Sequence, residues 1–454
     1  RSEEGAFVIG AGFSSAYNTN YRHDRHTVHF YIRPTGESHN LSATAMPRPG
    51  KLAGNYLYNF DGKVYATDPQ GKVWNDREAT WDPSPTHDRV DTRVGNNLLS
   101  FDSGVVLLNG KTVLPAAKEG HYQGFYYAHG HLIFYHIYRP GEAKYRRHEK
   151  DEKGYSKLYA CPWRPEMGFV NLDQARVETL PIVGEFPYAY GQLGDQVVSC
   201  SNIGGVYALQ NGQWRTLVDG SMDYSYQVYA GCTYYDRLLL GQYPSGELFA
   251  FDGESIEQLK GWPPVMKGVS HHAREAQTIV LYGGELYVGV WPWGEVWRYH
   301  RDQNQWNLAR RMFTHPPLTD QTIHPYESEC QALGIVANLW GQRVTSMVPL
   351  KDSLLIATSA KTPIPWDPKF DFVRDNAWKE YGTVTRLHAP GHLSVPVKWT
   401  NGSTELRFVI ADNAMRIEQD GKPIATSSVD GSAINTKGLR DIEWGKGAYG
   451  IFTG

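Results

Sequence analysis

The sequence predicts an all-β chain folded as a β-propeller with seven counted blades, and three observations predict it. The first is a recurring phrase: a glycine followed two residues later by an aliphatic and then, usually, an aromatic residue. It occurs as Gly71-Lys72-Val73-Trp74, Gly204-Gly205-Val206-Tyr207, Gly246-Glu247-Leu248-Phe249, Gly294-Glu295-Val296-Trp297 and, weakened, Gly382-Thr383-Val384-Thr385. The best copies stand roughly 40–50 residues apart, the period of one four-stranded sheet repeated about an axis. The second is a set of alternating apolar runs joined by tight polar turns. Leu57 to Ala66 turns at Asp61-Gly62, Phe125 to Tyr135 at Ala128 to Gly130, and Thr278 to Val290 at Gly283-Gly284. Such turn residues accept the positive φ that hairpins demand. The third is composition: 46 glycines and 13% aromatics, with no long stretch of helical apolar periodicity.

Each unit reads as a hairpin, then the glycine phrase, then a polar or Trp-bearing outer strand such as Gln213-Trp214-Arg215. The units fall near residues 52–82, 89–116, 121–184, 185–218, 224–260, 271–309 and 343–389, and counts of six or eight stay open. One propeller body over 1–389 is expected, because repeats of this kind form a single domain even at this length. After Pro390 the repeat stops. Leu393 to Trp399, Leu406 to Ile410 and Ala414 to Gln419 read as short strands before a turn at Asp420-Gly421. Residues 390–454 are therefore expected to pack on the propeller as a small sheet or to help close it. Val28 to Ile32 is a further candidate closing strand.

A formal net charge of −3, from 45 basic and 48 acidic residues, offers no basic face for nucleic acid. No apolar stretch approaches transmembrane length, so no membrane partner is expected, and a monomer is. The sequence opens at Arg1 rather than Met, which makes a removed leader and a secreted or periplasmic location an expectation. The four cysteines, Cys161, Cys200, Cys232 and Cys330, lack Cys-x-x-Cys spacing and indicate neither a zinc ribbon nor a redox pair. Cys200 and Cys232 lie in neighbouring units and either pair or stay as buried thiols, the second being expected.

Blade ends and inner strands line the channel and groove of a propeller, so the chemistry is sought there. The richest stretch is the third hairpin, Gly120 to His136, with histidines at 121, 129, 131 and 136. With a turn centred on Ala128-His129, His121 stands opposite His136 at a β-carbon separation of roughly 5 Å; with one centred on His129-Gly130, His136 becomes a diagonal neighbour. Either register puts both imidazoles on one face. Such a pair perturbs its own pKa values near neutrality, where a proton-transfer catalyst operates. An interstrand pair packed among tyrosines is the alternative, and His129 and His131, at the turn, are expected to be solvated. The next unit opens Glu185-Phe186-Pro187-Tyr188-Ala189-Tyr190, and Tyr188 and Tyr190, two apart, face one side of a strand.

A propeller with a histidine on each strand of one hairpin and a tyrosine on the next inner strand resembles the seven-bladed polysaccharide lyases. These are the ulvan lyases and related rhamnose-glucuronate lyases, which cleave rhamnose-uronate linkages. The phrases Leu239 to Leu248 and Leu286 to Arg298 also look like that superfamily. The resemblance covers most of the propeller and rests on moderately specific framework phrases. It implies His121 and His136 as the histidine pair, Tyr188 as the catalytic tyrosine, and an anionic polysaccharide or oligosaccharide as partner. Two departures stand against it. Val198-Ser199-Cys200-Ser201-Asn202, which faces Tyr188, lacks the arginine that these lyases carry there, and the hairpin between the histidines is shorter.

β-Elimination at a uronate requires a neutralised carboxylate, a base for the C5 proton and an acid for the departing O4. Tyr188 is expected as base and acid, and His121 as its assistant or as the alternative base. His136, Asn202, and Arg274 with His272, or Arg343, are candidates around the carboxylate. Tyr190 and Tyr243 are candidate sugar contacts. Trp291 and Trp293 offer flat faces too, but read more readily as core. Arg146 and Arg147, in the charged insertion Ala143 to Lys153, are candidates for sulfate or carboxylate of the glycan. No cofactor is required by this scheme, and a structural calcium or zinc ion is left open. A second histidine group, His23, His26 and His29, is spaced by three, which suits a helix face and disfavours a metal site on a strand. It keeps open a hydrolase reading, an α-L-rhamnosidase acting on rhamnose-glucuronate caps with a single histidine. A non-catalytic glycan-binding propeller is the third class, since fold alone implies no activity.

Overall fold

The alternating apolar runs pair as antiparallel strands, and the chain is all-β, built largely from four-stranded antiparallel sheets. The structure, a computed structural model, describes residues 7–451 apart from 14–15, 18–26, 36–40, 68–70, 85–89, 141–145, 148–153, 224–225, 270–271, 363, 374–376, 400–402, 412 and 430–443. Seven sheets of four strands follow one another along the described chain. Their first strands are Leu57–Phe60, Val90–Val94, His121–Ala128, Pro187–Leu193, Gln227–Tyr234, Glu275–Tyr282 and Arg343–Leu350, and we number the sheets one to seven in that order. The first strands of sheets three to seven and then one pack side by side in sequence.

Burial grades outward from those first strands. In sheet six every residue of the strands Glu275–Tyr282, Glu285–Trp291 and Glu295–His300 is buried, whereas the outer strand Gln305–Arg311 alternates. Neighbouring sheets cover both faces of the inner strands, so these must be apolar or paired on both sides. Alternation decides which neighbour each side chain meets. Leu132 and Phe134 pack with Leu99 and Phe101 of sheet two, while Ile133, Tyr135 and Ile137 pack with Tyr190 and Val197 of sheet four. Each such apolar side chain contributes about 1.5–3 kcal/mol when fully buried.

The glycine phrase opens the third strand of its sheet, for a steric reason. Gly246 has φ 67°, and a β-carbon there would stand 2.3 Å from Cβ of Arg274, the residue before the first strand of sheet six. Gly204, at φ 83°, meets the ring of Tyr226 ahead of sheet five in the same way. A side chain at either point would be strained and would push the next sheet away.

Sheet seven is completed by a strand from the other end of the sequence: Ser42–Met46 pairs with Val384–His388 as its outermost member. The run Val28 to Ile32 is therefore not the closing strand. It lies in Thr27–Pro34, between Phe7–Phe13 and His392–Pro396, in a separate three-stranded sheet. The reason is burial. Val28, Phe30 and Ile32 pack on Leu393, Met415 and Ile417, while Ser42–Met46 is mostly exposed, as an outermost strand can be. Leu406–Ala411, Ala414–Gln419 and Lys422–Ser428 form a further three-stranded sheet against this one. One short helix, Pro325–Ala332, interrupts the β pattern between sheets six and seven; Tyr326 and Cys330, four apart, turn one face inward. All four cysteines are free and buried.

Candidate functional site

A group of buried polar residues, Glu185, Glu275, Gln277, Arg343 and Thr345, lies where the first strands begin. Four of these strands carry a β-bulge at one position: between Pro187 and Ala189, Val228 and Ala230, Ala276 and Thr278, and Val344 and Ser346. The extra residues are Tyr188, Tyr229, Gln277 and Thr345. A bulge takes its residue out of the ladder with the second strand, which frees the side chain from the packing alternation. Gln277 and Thr345 are buried, and Tyr188 is half-buried.

A chain of contacts crosses four sheets at this level, which we call the rim. The rings of Tyr188 and Tyr229 lie 5.0 Å apart. The Tyr229 hydroxyl is 2.5 Å from Oε1 of Gln227 and 3.2 Å from Oε1 of Glu275. Arg343 donates through Nη2 to Oε2 of Glu275 at 2.8 Å and through Nη1 to the carbonyl of Lys361 at 2.7 Å, with its guanidinium 5.9 Å from the Tyr229 ring. Burial, then Glu275, pushes the Tyr229 hydroxyl well above its ordinary range, against the opposing pull of Arg343. Burial likewise raises Tyr56, which bonds Arg343 from the approach to sheet one. Both phenols therefore stay protonated at neutral pH.

Behind the rim lies Glu185. Its carboxylate accepts from the Tyr207 hydroxyl at 2.8 Å and is packed against Gly205 and Gly220, where β-carbons would come within 2.2 Å and 2.8 Å of it. Burial raises its pKa to about 7, partly opposed by hydrogen bonds from Ser201 and Tyr207. It is thus a buried carboxyl that titrates near neutrality, three residues before Tyr188.

His121 and His136 do not share a face. The turn falls at His129-Gly130, and a bulge between Gln123 and Tyr126 then shifts the register by one. His121 consequently stands opposite Ile137, and Tyr122 opposite His136. One inserted residue flips the face of everything beyond it. His121 is exposed and lines a cleft of about 510 Å³, with Tyr17, Asp102, Gln123, Phe186 and Pro187 among its walls. His136 is half-buried; its Nε2 lies 2.7 Å from the Glu119 carbonyl and 3.2 Å from the Tyr155 hydroxyl, between the rings of Tyr122 and Tyr155. Desolvation, with smaller contributions from Lys157 and His121, lowers its pKa, so it is neutral at physiological pH.

Several other sequence candidates turn out to be framework. Tyr190 is fully buried, stacked on Tyr126 at 4.7 Å, and donates to the Gly124 carbonyl at 2.5 Å. It is not a sugar contact, because Ala189 and Tyr190 stand in the regular ladder beyond the bulge and pack between sheets. Asn202 is buried and clamps Phe186, accepting from its amide at 2.9 Å and donating to its carbonyl at 3.0 Å. Arg274 is 2% exposed and bonds the Pro264 carbonyl at 3.0 Å and Glu295 at 3.5 Å, so it braces sheets five and six rather than meeting a ligand. Trp291 and Trp293 are core. Tyr243 is half-buried at the end of the second strand of sheet five, and His272 is exposed ahead of sheet six. Arg146–Arg147 pairs with Ile182–Val183, and its side chains lie outside the described residues.

His23 and His26 also lie outside the described residues. His29 sits on a strand, not a helix, fully buried and stacked on Tyr449 at 4.9 Å. Among the described residues no three His, Cys, Asp or Glu side chains gather as a metal site. Tyr56, Tyr229, Glu275 and Glu185 escaped sequence reasoning. Their signal was positional: Tyr229 and Glu275 occupy the same few steps of the first strand as Tyr188 and Arg343.

No family model matches the chain, and no curated protein matches it. Among solved structures it is similar to the computationally designed Ika8 protein, at 12% identity and a TM-score of 0.38, over 76% of this chain and 98% of that one. BamB from Moraxella catarrhalis gives 12% identity and a TM-score of 0.34, over 86% and 95%. A chain of the solved complex of S. cerevisiae Dbp5 with Nup159, Gle1, IP6 and ADP gives 8% identity and a TM-score of 0.32, over 87% and 97%. Likenesses of this size assign no activity.

Proposed function

We propose that the seven sheets are blades of a seven-bladed β-propeller and that the chain is a polysaccharide lyase acting on a rhamnose-uronate glycan outside the cytoplasm. The observation that carries this reading is Tyr188. It is a half-buried phenol lifted out of its ladder by a bulge, beside an aromatic face and one residue after Pro187, which lines the cleft that holds His121. In the reaction Tyr188, as phenolate, takes the C5 proton. The C4–O4 bond breaks as the C4–C5 double bond forms, and Tyr188 returns the proton to O4. His121, exposed on the cleft wall, meets the carboxylate, and the aromatic residues of the rim support the sugar rings. His136, neutral and tied to Glu119, is a positioning residue for the cleft wall.

The test is ultraviolet absorbance during incubation with ulvan. Wild type is expected to produce the rise of an unsaturated uronate, and Tyr188→Phe to lower the rate by about 100-fold or more with folding retained. A wild type that forms no such product, or a Tyr188→Phe variant as active as wild type, removes the proposal. One observation favours a second reading, a non-catalytic glycan-binding propeller: the charge of Arg343 is already offset by Glu275. In that case glycan binding persists in wild type with no product at all.

A further inference from the structure

The far ends of the first strands carry a second cavity, which the rim reading does not use. It is about 660 Å³ in volume and lies among the strand Phe7–Phe13, the hairpin tip at Tyr235, the turn at Arg301 and the segment Lys446 to Ala448. Its charged wall is cationic, formed by Arg33, Arg301 and Lys446. Arg33 is 2% exposed and donates through Nη1 to Asp302, while its buried Nε has no hydrogen-bond partner. The Arg301 guanidinium lies 3.7 Å from the centroid of the Tyr235 ring, which fixes its plane. Neither Arg301 nor Lys446 pairs with a carboxylate among the described residues, so Asp302 offsets one of three positive charges.

We propose that this cavity binds an oxyanion, a carboxylate, sulfate or phosphate group carried by a small sugar-sized ligand. Arg33 lines the cavity with a largely buried guanidinium, and an oxyanion supplies acceptors in the planar fork geometry that arginine matches. Two further cations in its wall, the exposed Arg301 and Lys446, raise the local anion concentration. The volume admits a monosaccharide. The site is remote from Tyr188, so it stands or falls separately from the lyase reading.

The test is calorimetric titration of the full chain with glucuronate, inorganic sulfate and inorganic phosphate, at low salt and at high salt. At least one is expected to bind one-to-one, more weakly at high salt. Arg301→Ala is expected to weaken binding by about tenfold or more, and Arg301→Lys by less. Arg301 is exposed, so these variants are expected to fold even where a change at buried Arg33 is not tolerated. Preference among the three anions tells a uronate from a sulfate or phosphate source. No binding by any of them, or affinities in Arg301→Ala and Lys446→Ala equal to wild type, would overturn the proposal.

Discussion

The two ends of the first strands bury different chemistry. At the rim and just behind it, side chains meet through charge and hydroxyl: Arg343 with Glu275, Tyr229 with Gln227, Tyr207 with Glu185. At the far end the sheet containing Thr27–Pro34 lies across the strand tips, and rings meet rings: His29 on Tyr449, His392 on Tyr282 at 4.5 Å. There the nitrogens of His29 have no hydrogen-bond partner. The same strands thus begin in a polar network and end under an aromatic cluster that stands beside two buried ion pairs, Arg33 with Asp302 and Arg298 with Glu285. The lesson is that position along a strand, more than residue type, separates framework from candidate chemistry.

The largest expected effect breaks the rim. Arg343→Ala leaves Glu275 buried and unpaired and is expected to cost about 3–5 kcal/mol in urea-induced unfolding. A loss below about 1 kcal/mol would mean that the pair is solvated. The next effect breaks the far end by pH. Burial holds the His29 pKa down at about 3 against an ordinary 6.5, so the unfolded chain binds the proton that the folded chain refuses. Stability is full above pH 6.5 and falls as pH drops toward 3, by about 3 kcal/mol at pH 4 for this group. His29→Phe should flatten that slope in unfolding curves taken across pH 4–7, though not abolish it, because His392 and His324 are lowered too.

Behind the rim the pH response runs the other way. Glu185 has its pKa raised from 4.5 to about 7, so the stability of its protonated form is full below 4.5 and is lost as pH rises through 7. Glu185→Gln is expected to remove a loss of about 2 kcal/mol between pH 5 and 8. Equal slopes in the variant and wild type over that range would show that the carboxyl is hydrated. The smallest effect sharpens the distinction between framework and site. Tyr188→Phe should change stability by less than about 1 kcal/mol, as suits a half-buried side chain outside the regular ladder, even where it removes activity. A large loss of stability would make Tyr188 part of the framework, like Tyr190.

Much of the fold was legible because its signals are local. Alternation and turn glycines act within a few residues, and these gave an all-β chain of hairpins and four-stranded units. The histidine register was not legible, since a bulge at Gly124 leaves no mark that distinguishes it from any other glycine in a strand. The strand Ser42–Met46 was missed because its four exposed residues carry no apolar alternation, whereas Val28 to Ile32, which does, was needed elsewhere. At the site, Tyr188 and Arg343 were singled out, but Glu275 and Tyr229 acquire meaning only when strands 46 and 68 residues apart from their partners are set side by side. Arg274 was misjudged for the converse reason: an arginine at a strand entry looks the same whether it meets solvent or Glu295.

The pairing of Ser42–Met46 with Val384–His388 has a consequence for assembly. It is a latch between distant parts of one chain, so sheet seven cannot be completed until most of the polypeptide exists, and Ser42–Met46 waits without its ladder partner until then. Closure of so long a loop adds entropy only logarithmically, so the latch costs little more than a far shorter one, but it forms late. A circular permutant that joined the two segments through a short turn and opened the chain between two other sheets would convert this last step into an ordinary hairpin.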